Sequence, residues 1–529
     1  MRCETWMFLC LLVGLAWIGQ RQFLFDPGSF WSTVIGQRIL TTHDVPRQDD
    51  FSCTFGGTAW QSHQWLAQVG MATLHAIGGL DALVLGTAVL LAATYAWAAG
   101  RLVRAGSHWI ATGIVVALLL LSSRYHWLAR PQIVTITLLG WTFAQIVDFE
   151  NEPAVWRRLC WLPPVFALWT NLHGGALGGL CTVAIVFAGW GVAWLVGWPN
   201  PLKTAQGLGR LALIGVACVL ATLVNPYGWD LPLGWIRLMN LTSLSKYIYE
   251  HMPLDWSNPY QRGIPLFGMV YVLALATVPV RRWRVSWFVP IIWFILTVQR
   301  IRHCTLFSIT AAVALADILA NSRLLERLKN LAHDARQGEP ESSVDQTKPT
   351  TGTENRLLPW AIPAGIVAVA FVLQACAVPF PLVGAGQAQV DPALTPTEFI
   401  DAIRERSKPN DPIFNEMAYG GFLIYYVPEL RIYIDDRCEL YGDEFISRQE
   451  DLAAFFAQLK REHKDPAPYD QLERWTEAKG IRLALVMKSR GLDYYFSSVP
   501  QRWTRVAETE GRVSPASLPG AVLYERKPR

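Results

Sequence analysis

The sequence predicts a polytopic α-helical membrane protein of about eleven transmembrane helices, followed by a small extracytoplasmic α/β domain. Three observations carry that expectation. The chain of 529 residues is 52% hydrophobic and only 17% charged, too apolar for an ordinary soluble enzyme. Charge is unevenly spread, with residues 385–529 holding 43 of the 88 Asp, Glu, Lys and Arg residues. Apolar runs long enough for a span of ~20 residues recur through the chain as far as residue 380.

In chain order those runs fall at about 5–24, 80–100, 107–123, 131–148, 157–171, 174–198, 207–225, 263–280, 285–300, 303–320 and 359–380. The first is read as an uncleaved span, because no small-residue cleavage site precedes Gln20 and Arg21. Basic residues occupy every second connection: Arg101 and Arg104, Arg157 and Arg158, Lys203 and Arg210, Arg281 to Arg284, and Arg323 to Lys329. Those connections are expected on the cytoplasmic side, with the amino terminus. The expected domains are then a membrane body, 1–320, with an outer loop at 26–66; a polar cytoplasmic linker, 321–358, of disordered composition; a last span, 359–380; and an extracytoplasmic domain, 385–529.

Within that last domain, helices are expected at 396–404, from 421, at about 443–462 and at 468–479. Strands are expected at 412–415, 431–435, 481–488, 503–508 and 521–526. A net charge of +4 and the absence of a long basic run argue against nucleic acid as a partner. The nine cysteines include no Cys-x-x-Cys pair, so no metal site is read from them. Cys53 and Cys438 alone fall in segments expected beyond the outer membrane face, where a disulfide between them is conceivable.

The polar and ionisable residues near span ends collect on the expected outer side. They are Asp26 with the loop 26–66, Arg124 to Arg130, Asn171-Leu-His173, the segment from Asn225 to Asp255, and Arg300-Ile-Arg302-His303. Ionisable groups at membrane depth are costly and usually line a polar site or pair with one another; singly, outer arginines beside Trp and Tyr also snorkel to headgroups. Asp26, Asp49 and Asp50 are the candidate acid/base groups. Asp26 alternatively starts an Asp-Pro-Gly turn, and the Asp49-Asp50 pair alternatively caps a turn. Arg124, Arg130 and Arg302 are candidate cations for a phosphate, with His173, His303 and Asn171 beside them. His63, between Trp60 and Trp65, forms either a sugar-stacking wall or an interfacial aromatic belt. In the tail, Asn415, Asp435 and Arg437 lie at strand ends, where open α/β sheets bind ligands; a buried Asp-Arg pair that fixes the loop is the other reading.

These residues stand in motifs: Asp26 with Trp31; Pro46, Asp49 and Phe51-Ser52; Trp60, His63, Trp65 and Leu66; Arg130-Pro-Gln132; Asn171-Leu-His-Gly-Gly175; Asn225-Pro-Tyr-Gly228; Phe414-Asn415; Tyr419-Gly-Gly-Phe-Leu423; and Tyr433-Ile-Asp-Asp-Arg437 with Tyr441-Gly442. Together they resemble a bacterial set of GT-C-type polytopic glycosyltransferase-like membrane proteins, over most of the chain apart from the linker. One departure is Ser32, at a position where related loops often carry His. The resemblance implies a GT-C-like body and an inverting transfer of a hexosyl or pentosyl unit from a polyprenyl-phosphate-linked sugar to an envelope glycan, lipid or protein. It also implies a location in the bacterial cytoplasmic (inner) membrane, in contact with membrane lipid. In that mechanism a first-loop carboxylate, Asp26 foremost, deprotonates the acceptor hydroxyl. Cofactors are unknown: a divalent cation is used by some members of that class and not by others. Two other classes compete, a non-catalytic lipid-linked-sugar binding or envelope scaffold protein, and an amphiphile transporter or flippase. The transporter predicts ionisable residues facing both leaflets or paired broken helices.

Overall fold

The computed structural model describes residues 3–322, 358–511 and 519–528. The expected linker at 321–358 therefore lies almost wholly outside the described residues. The body consists of α1 (Cys3–Gln22), α2 (Pro27–Thr42), α3 (Trp65–Arg104), α4 (Trp109–Ser123), α5 (Ile133–Asn151), α6 (Arg157–Cys160), α7 (Leu162–Leu172), α8 (Ala176–Leu195), α9 (Ala205–Ala221), α10 (Asp230–Met239), α11 (Thr242–Tyr247), α12 (Gly263–Ala276), α13 (Val289–Gln299), α14 (Cys304–Ala320) and α15 (Leu358–Ala375).

Among the described residues, five helical segments are long and apolar enough to cross a membrane: Trp65–Arg104, Trp109–His126, Ile133–Asn151, Ala176–Leu195 and Ile301–Ala320. The segments 205–221, 263–276, 285–299 and 360–375 are apolar but shorter than a full span. The expected run at 157–171 is divided into α6 and α7, with Pro163 and Pro164 in the first turn of α7, where a missing N–H costs least. Segment Glu4–Gln22 meets α2 at a bend of 95°. Asp26 makes that bend: its carboxylate accepts the Gly28 N–H at 2.7 Å as the N-cap of α2, and Pro27 follows at N1. What reads as an Asp-Pro-Gly turn is thus the start of a sixteen-residue helix in the connection from α1 to α3. Helix α14 is buried along nearly its whole length, which suits its all-round apolar sequence and makes it the centre of the body.

The tail contains α16 (Ile400–Arg406), β1 (Pro412–Asn415), α17 (Met417–Tyr426), β2 (Arg431–Ile432), α18 (Cys438–Arg461), α19 (Gln471–Ala478), β3 (Leu483–Met487), α20 (Gly491–Ser498), β4 (Trp503–Glu508) and β5 (Ala521–Arg526). Its sheet has the order β2-β1-β3-β5-β4, parallel among the first three strands and antiparallel at β3–β5–β4. β2 is shorter than expected because the chain turns into a loop after Ile432.

The connection from α2 to α3 joins this sheet. Cys53 N–H donates to the Ile432 carbonyl at 2.8 Å, and Ile432 N–H donates to that of Phe51 at 3.0 Å. Helix α17 lies against α2 so closely that a Cβ on Gly421 would meet the Pro27 carbonyl oxygen at 2.1 Å. Cys53 and Cys438 are free thiols.

Candidate functional site

Two clusters of charge occupy the joint between body and tail. The first is centred on Arg130, in the connection between α4 and α5. Its guanidinium lies 3.0 Å from the Asp26 carboxylate and 3.4 Å from that of Asp436, and these side chains are 17, 19 and 16% exposed. Gly28 leaves the room, since a Cβ there would stand 2.5 Å from Arg130 Nε. Trp31 of α2 donates its indole N–H to Asp436 at 2.6 Å, which fixes that carboxylate toward the arginine. Burial pushes the Asp26 carboxyl above the usual carboxylate range although Arg130 pulls it down. Burial likewise pushes Asp436 up to about 7, with Arg130 opposing and Asp26 and Asp435 adding to the rise.

Glu250, in the 3-10 turn Tyr249–His251, extends this cluster. Burial alone would raise its carboxyl, but the charges of Arg302 and Arg130, with His126 and His251, hold it down at about 2. Arg302 hydrogen-bonds the His251 ring. Burial and the nearby Arg302 and Arg130 push His173 down to about 3. The neutral ring accepts the Gly175 N–H on Nδ1 at 3.0 Å, and Thr135 Oγ1 lies 2.9 Å from the same nitrogen. The proton therefore sits on Nε2. Arg300, two residues before Arg302, has one buried guanidinium nitrogen with no hydrogen-bond partner among the described residues. A guanidinium nitrogen left open beside another arginine is suited to an anion.

The second cluster is closed to solvent, although one guanidinium nitrogen of Arg437 has no hydrogen-bond partner among the described residues. Asp49 and Arg437 have no exposed side-chain surface and stand 2.8 Å apart. Asp49 also accepts from Ser52 Oγ at 2.6 Å and from the N–H groups of Ser52 and Phe51 at 3.0 and 3.2 Å. Arg437 binds Asp435 at 2.6 Å and lies over the Phe51 and Trp60 rings. Tyr441 Oη donates to Asp435 at 3.2 Å. Burial would raise Asp49, but Arg437 and the Ser52 hydrogen bonds outweigh it and hold the carboxyl below its usual range. This ion set ties the first loop to the tail.

The sequence candidates therefore separate. Asp26, Arg130, His173 and Arg302 come together. Asp49 is instead enclosed in the second cluster, and Asp50 pairs with Arg38 at the surface. His63 lies 3.2 Å from Glu439, which also accepts the Trp60 indole N–H at 3.0 Å. Trp60 is 3% exposed, so it is neither a sugar-facing wall nor an interfacial ring. Arg124 lies over Tyr260. Asn171 accepts from the Trp65 indole and donates to the Ala167 and Val224 carbonyls, bracing helix ends. His303 Nδ1 is 3.1 Å from the Leu296 carbonyl. Asn415 bridges strand ends, donating to the Ile434 carbonyl and accepting the Tyr433 N–H. Asp435 and Arg437 form the loop-fixing buried pair rather than an open ligand edge.

Sequence reasoning does not single out Glu250, His126 or His251 as site residues; it places Arg300 only in one set with Arg302 and His303, and Asp436 only with Asp435 and Arg437 at the end of the tail strand. The available signal is weak: a Glu-His pair in an aromatic connection, and a His two residues after Arg124. Among the described residues no group of three or more His, Cys, Asp or Glu side chains is placed to hold a metal ion.

No family model matches the chain, and no curated protein matches it by sequence. Solved structures do match its fold. The archaeal oligosaccharyltransferase AglB from Archaeoglobus fulgidus, in complex with an inhibitory peptide and a dolichol-phosphate, aligns with a TM-score of 0.55 at 12% identity, over 91% of this chain and 69% of that one. The oligosaccharyltransferase of the same organism in its apo form aligns with a TM-score of 0.52 at 12% identity, over 91% and 70%. ArnT from Cupriavidus metallidurans bound to undecaprenyl phosphate aligns over 99% and 98% at 15% identity, with a TM-score of 0.48. The chain is an integral membrane protein with a GT-C-like fold, a helical body followed by a small α/β tail.

Proposed function

We propose that the protein is a membrane glycosyltransferase that moves a sugar from a polyprenyl-phosphate-linked donor to an acceptor of the cell envelope. The reaction would run at the outer face of a bacterial cytoplasmic membrane. The observation that carries this reading is the convergence of Asp26, Arg130, Glu250, His173 and Arg302, from five separate connections, into one partly accessible cluster beneath the tail. The fold shared with a dolichol-phosphate-bound oligosaccharyltransferase supports it.

In this reading Asp26 is the base. It takes the proton of the acceptor hydroxyl as the acceptor oxygen bonds the anomeric carbon from the face opposite the leaving group. The bond from that carbon to the phosphate oxygen breaks, and its electron pair leaves with the polyprenyl phosphate, so the configuration inverts. Burial favours the task by raising the basicity of Asp26. The charge developing on the departing phosphate meets Arg300, Arg302 and the Nε2–H of His173. The amino terminus is cytoplasmic and the tail extracytoplasmic in this reading. The ion pairs Arg101–Asp148 and Arg284–Asp317 support that orientation, because they lie at the ends of α3, α5 and α14 away from Arg130 and Arg302.

The test is release of free polyprenyl phosphate from a panel of polyprenyl-phosphate sugars by the detergent-purified protein, with envelope extract as acceptor, with and without chelator. Release by wild type that is lost in Asp26→Asn supports the reading. Release that survives in Asp26→Asn keeps the enzyme and removes the base. No release from any donor favours a binding or scaffold role.

A further inference from the structure

We propose that Asp436, although carried by the tail, is a positioning residue of the reaction centre: it holds one side of the Arg130 guanidinium while Asp26 holds the other, and so competes with Asp26 for that cation. The proposal rests on the assignment of Asp26 as the base. It makes the tail part of the reaction centre and not a separate recognition module.

The geometry is that of one cation shared by two carboxylates. Arg130 Nη1 lies 3.0 Å from Asp26 and Nη2 lies 3.4 Å from Asp436, so the two carboxylates are held by one planar fork. The Trp31 indole, on the helix that Asp26 caps, holds Asp436 at 2.6 Å. The loop carrying Asp436 is held on both sides, because its neighbour Arg437 pairs with both Asp435 and Asp49. Behind it, a Cβ on Gly420 of α17 would meet that of Asp435 at 2.5 Å.

The consequence is electrostatic. Two carboxylates sharing one guanidinium repel each other and compete for it: Asp26 raises the basicity of Asp436, and the proton is shared out within the pair. The groups facing Asp436 are Arg130 from the α4–α5 connection, Asp26 from the α1–α2 connection and Asp435 in its own loop. Glu250 of the 249–251 turn faces both Asp26 and Arg130, and α17 carries no charged residue. Removing the Asp436 charge leaves Arg130 wholly to Asp26, which then binds its proton less tightly and is a weaker base.

The experiment compares wild type, Asp436→Asn and Asp436→Glu in the full-length, detergent-purified protein. Two readouts are used. The first is the pH profile of polyprenyl-phosphate release, where Asp436→Asn is expected to lower kcat about tenfold and to move the acid limb down by about one pH unit. Asp436→Glu is expected to restore the limb. The second is a pH titration of the protonated-carboxyl infrared band assigned to Asp26 by its loss in Asp26→Asn. This readout needs no turnover, and the same downward shift is expected. An Asp26 band unmoved by Asp436→Asn in folded protein overturns the proposal. A band that shifts in Asp436→Asn, in a protein whose wild type releases no product, overturns the glycosyltransferase reading alone.

Discussion

Asp26 and Asp49 both lie in the segment between α1 and α3 and both meet an arginine at the joint between body and tail, yet the surroundings of the two pairs differ. Asp49 and Arg437 are wholly buried, and each is bound by several further partners. Asp26 shares Arg130 with Asp436 and keeps 19% of its side chain exposed. The comparison teaches that a buried carboxylate enclosed by several donors makes a fastening, whereas one with fewer partners and some exposure can still exchange a proton. The physics is the same in both: a buried charge is tolerated when paired, and what it can do depends on whether any of its lone pairs remain free.

The largest effect expected is on the fastening. Arg437→Met leaves Asp49 and Asp435 buried without their cation, and should cost about 3–5 kcal/mol. Thermal unfolding in detergent would measure this, and a loss under about 1 kcal/mol would break the comparison. Next, Asp26→Asn should lower product release at least about 100-fold, the usual contribution of a general base, while leaving the unfolding temperature within a few degrees of wild type. A large loss of stability instead would put Asp26 with Asp49.

Smaller is the effect of Gly421→Ala, whose Cβ must push against the Pro27 carbonyl. About 1–3 kcal/mol of destabilisation is expected, together with loosening of α17 from α2, which hydrogen exchange would report. Smallest is a pH effect at Glu416, whose carboxylate accepts the Met487 N–H at 2.8 Å. Burial outweighs that hydrogen bond and the pull of Arg490, and pushes the carboxyl from the ordinary 4.5 up to about 7. A raised carboxyl favours the protonated folded state, so its contribution is complete below about pH 4.5 and is lost as pH rises through about 7. Wild type should therefore lose unfolding temperature across that window relative to Glu416→Gln, and parallel curves would refute the assignment.

Much of the architecture was legible. The helical body and the order of most helices and strands in the tail follow from apolar run length and periodicity, which local sequence controls. Helix α2 was not legible, because Pro27-Gly28 reads as a turn until Asp26 is seen capping the helix that Pro27 begins. Helix α20 was also missed, since the short segment from Gly491 to Ser498 shows no clear helical period. In the site, Asp26, Arg130, His173 and Arg302 stood out because each is an ionisable residue at the edge of an apolar run. Glu250 did not, and Asp436 stood out only as a strand-end residue of the tail, because nothing near them in sequence predicts that Arg130 will face them.

The sequence by itself determined that the chain is a membrane protein with a soluble α/β tail, since the cost of placing polar groups in lipid acts on every residue locally. Only the tertiary structure decided which acidic residue is a fastening and which is open to chemistry. That distinction depends on how many partners reach a carboxylate from distant segments. Asp49 meets Arg437, and Asp26 shares Arg130 with Asp436, across long stretches of chain that only the packed fold brings together.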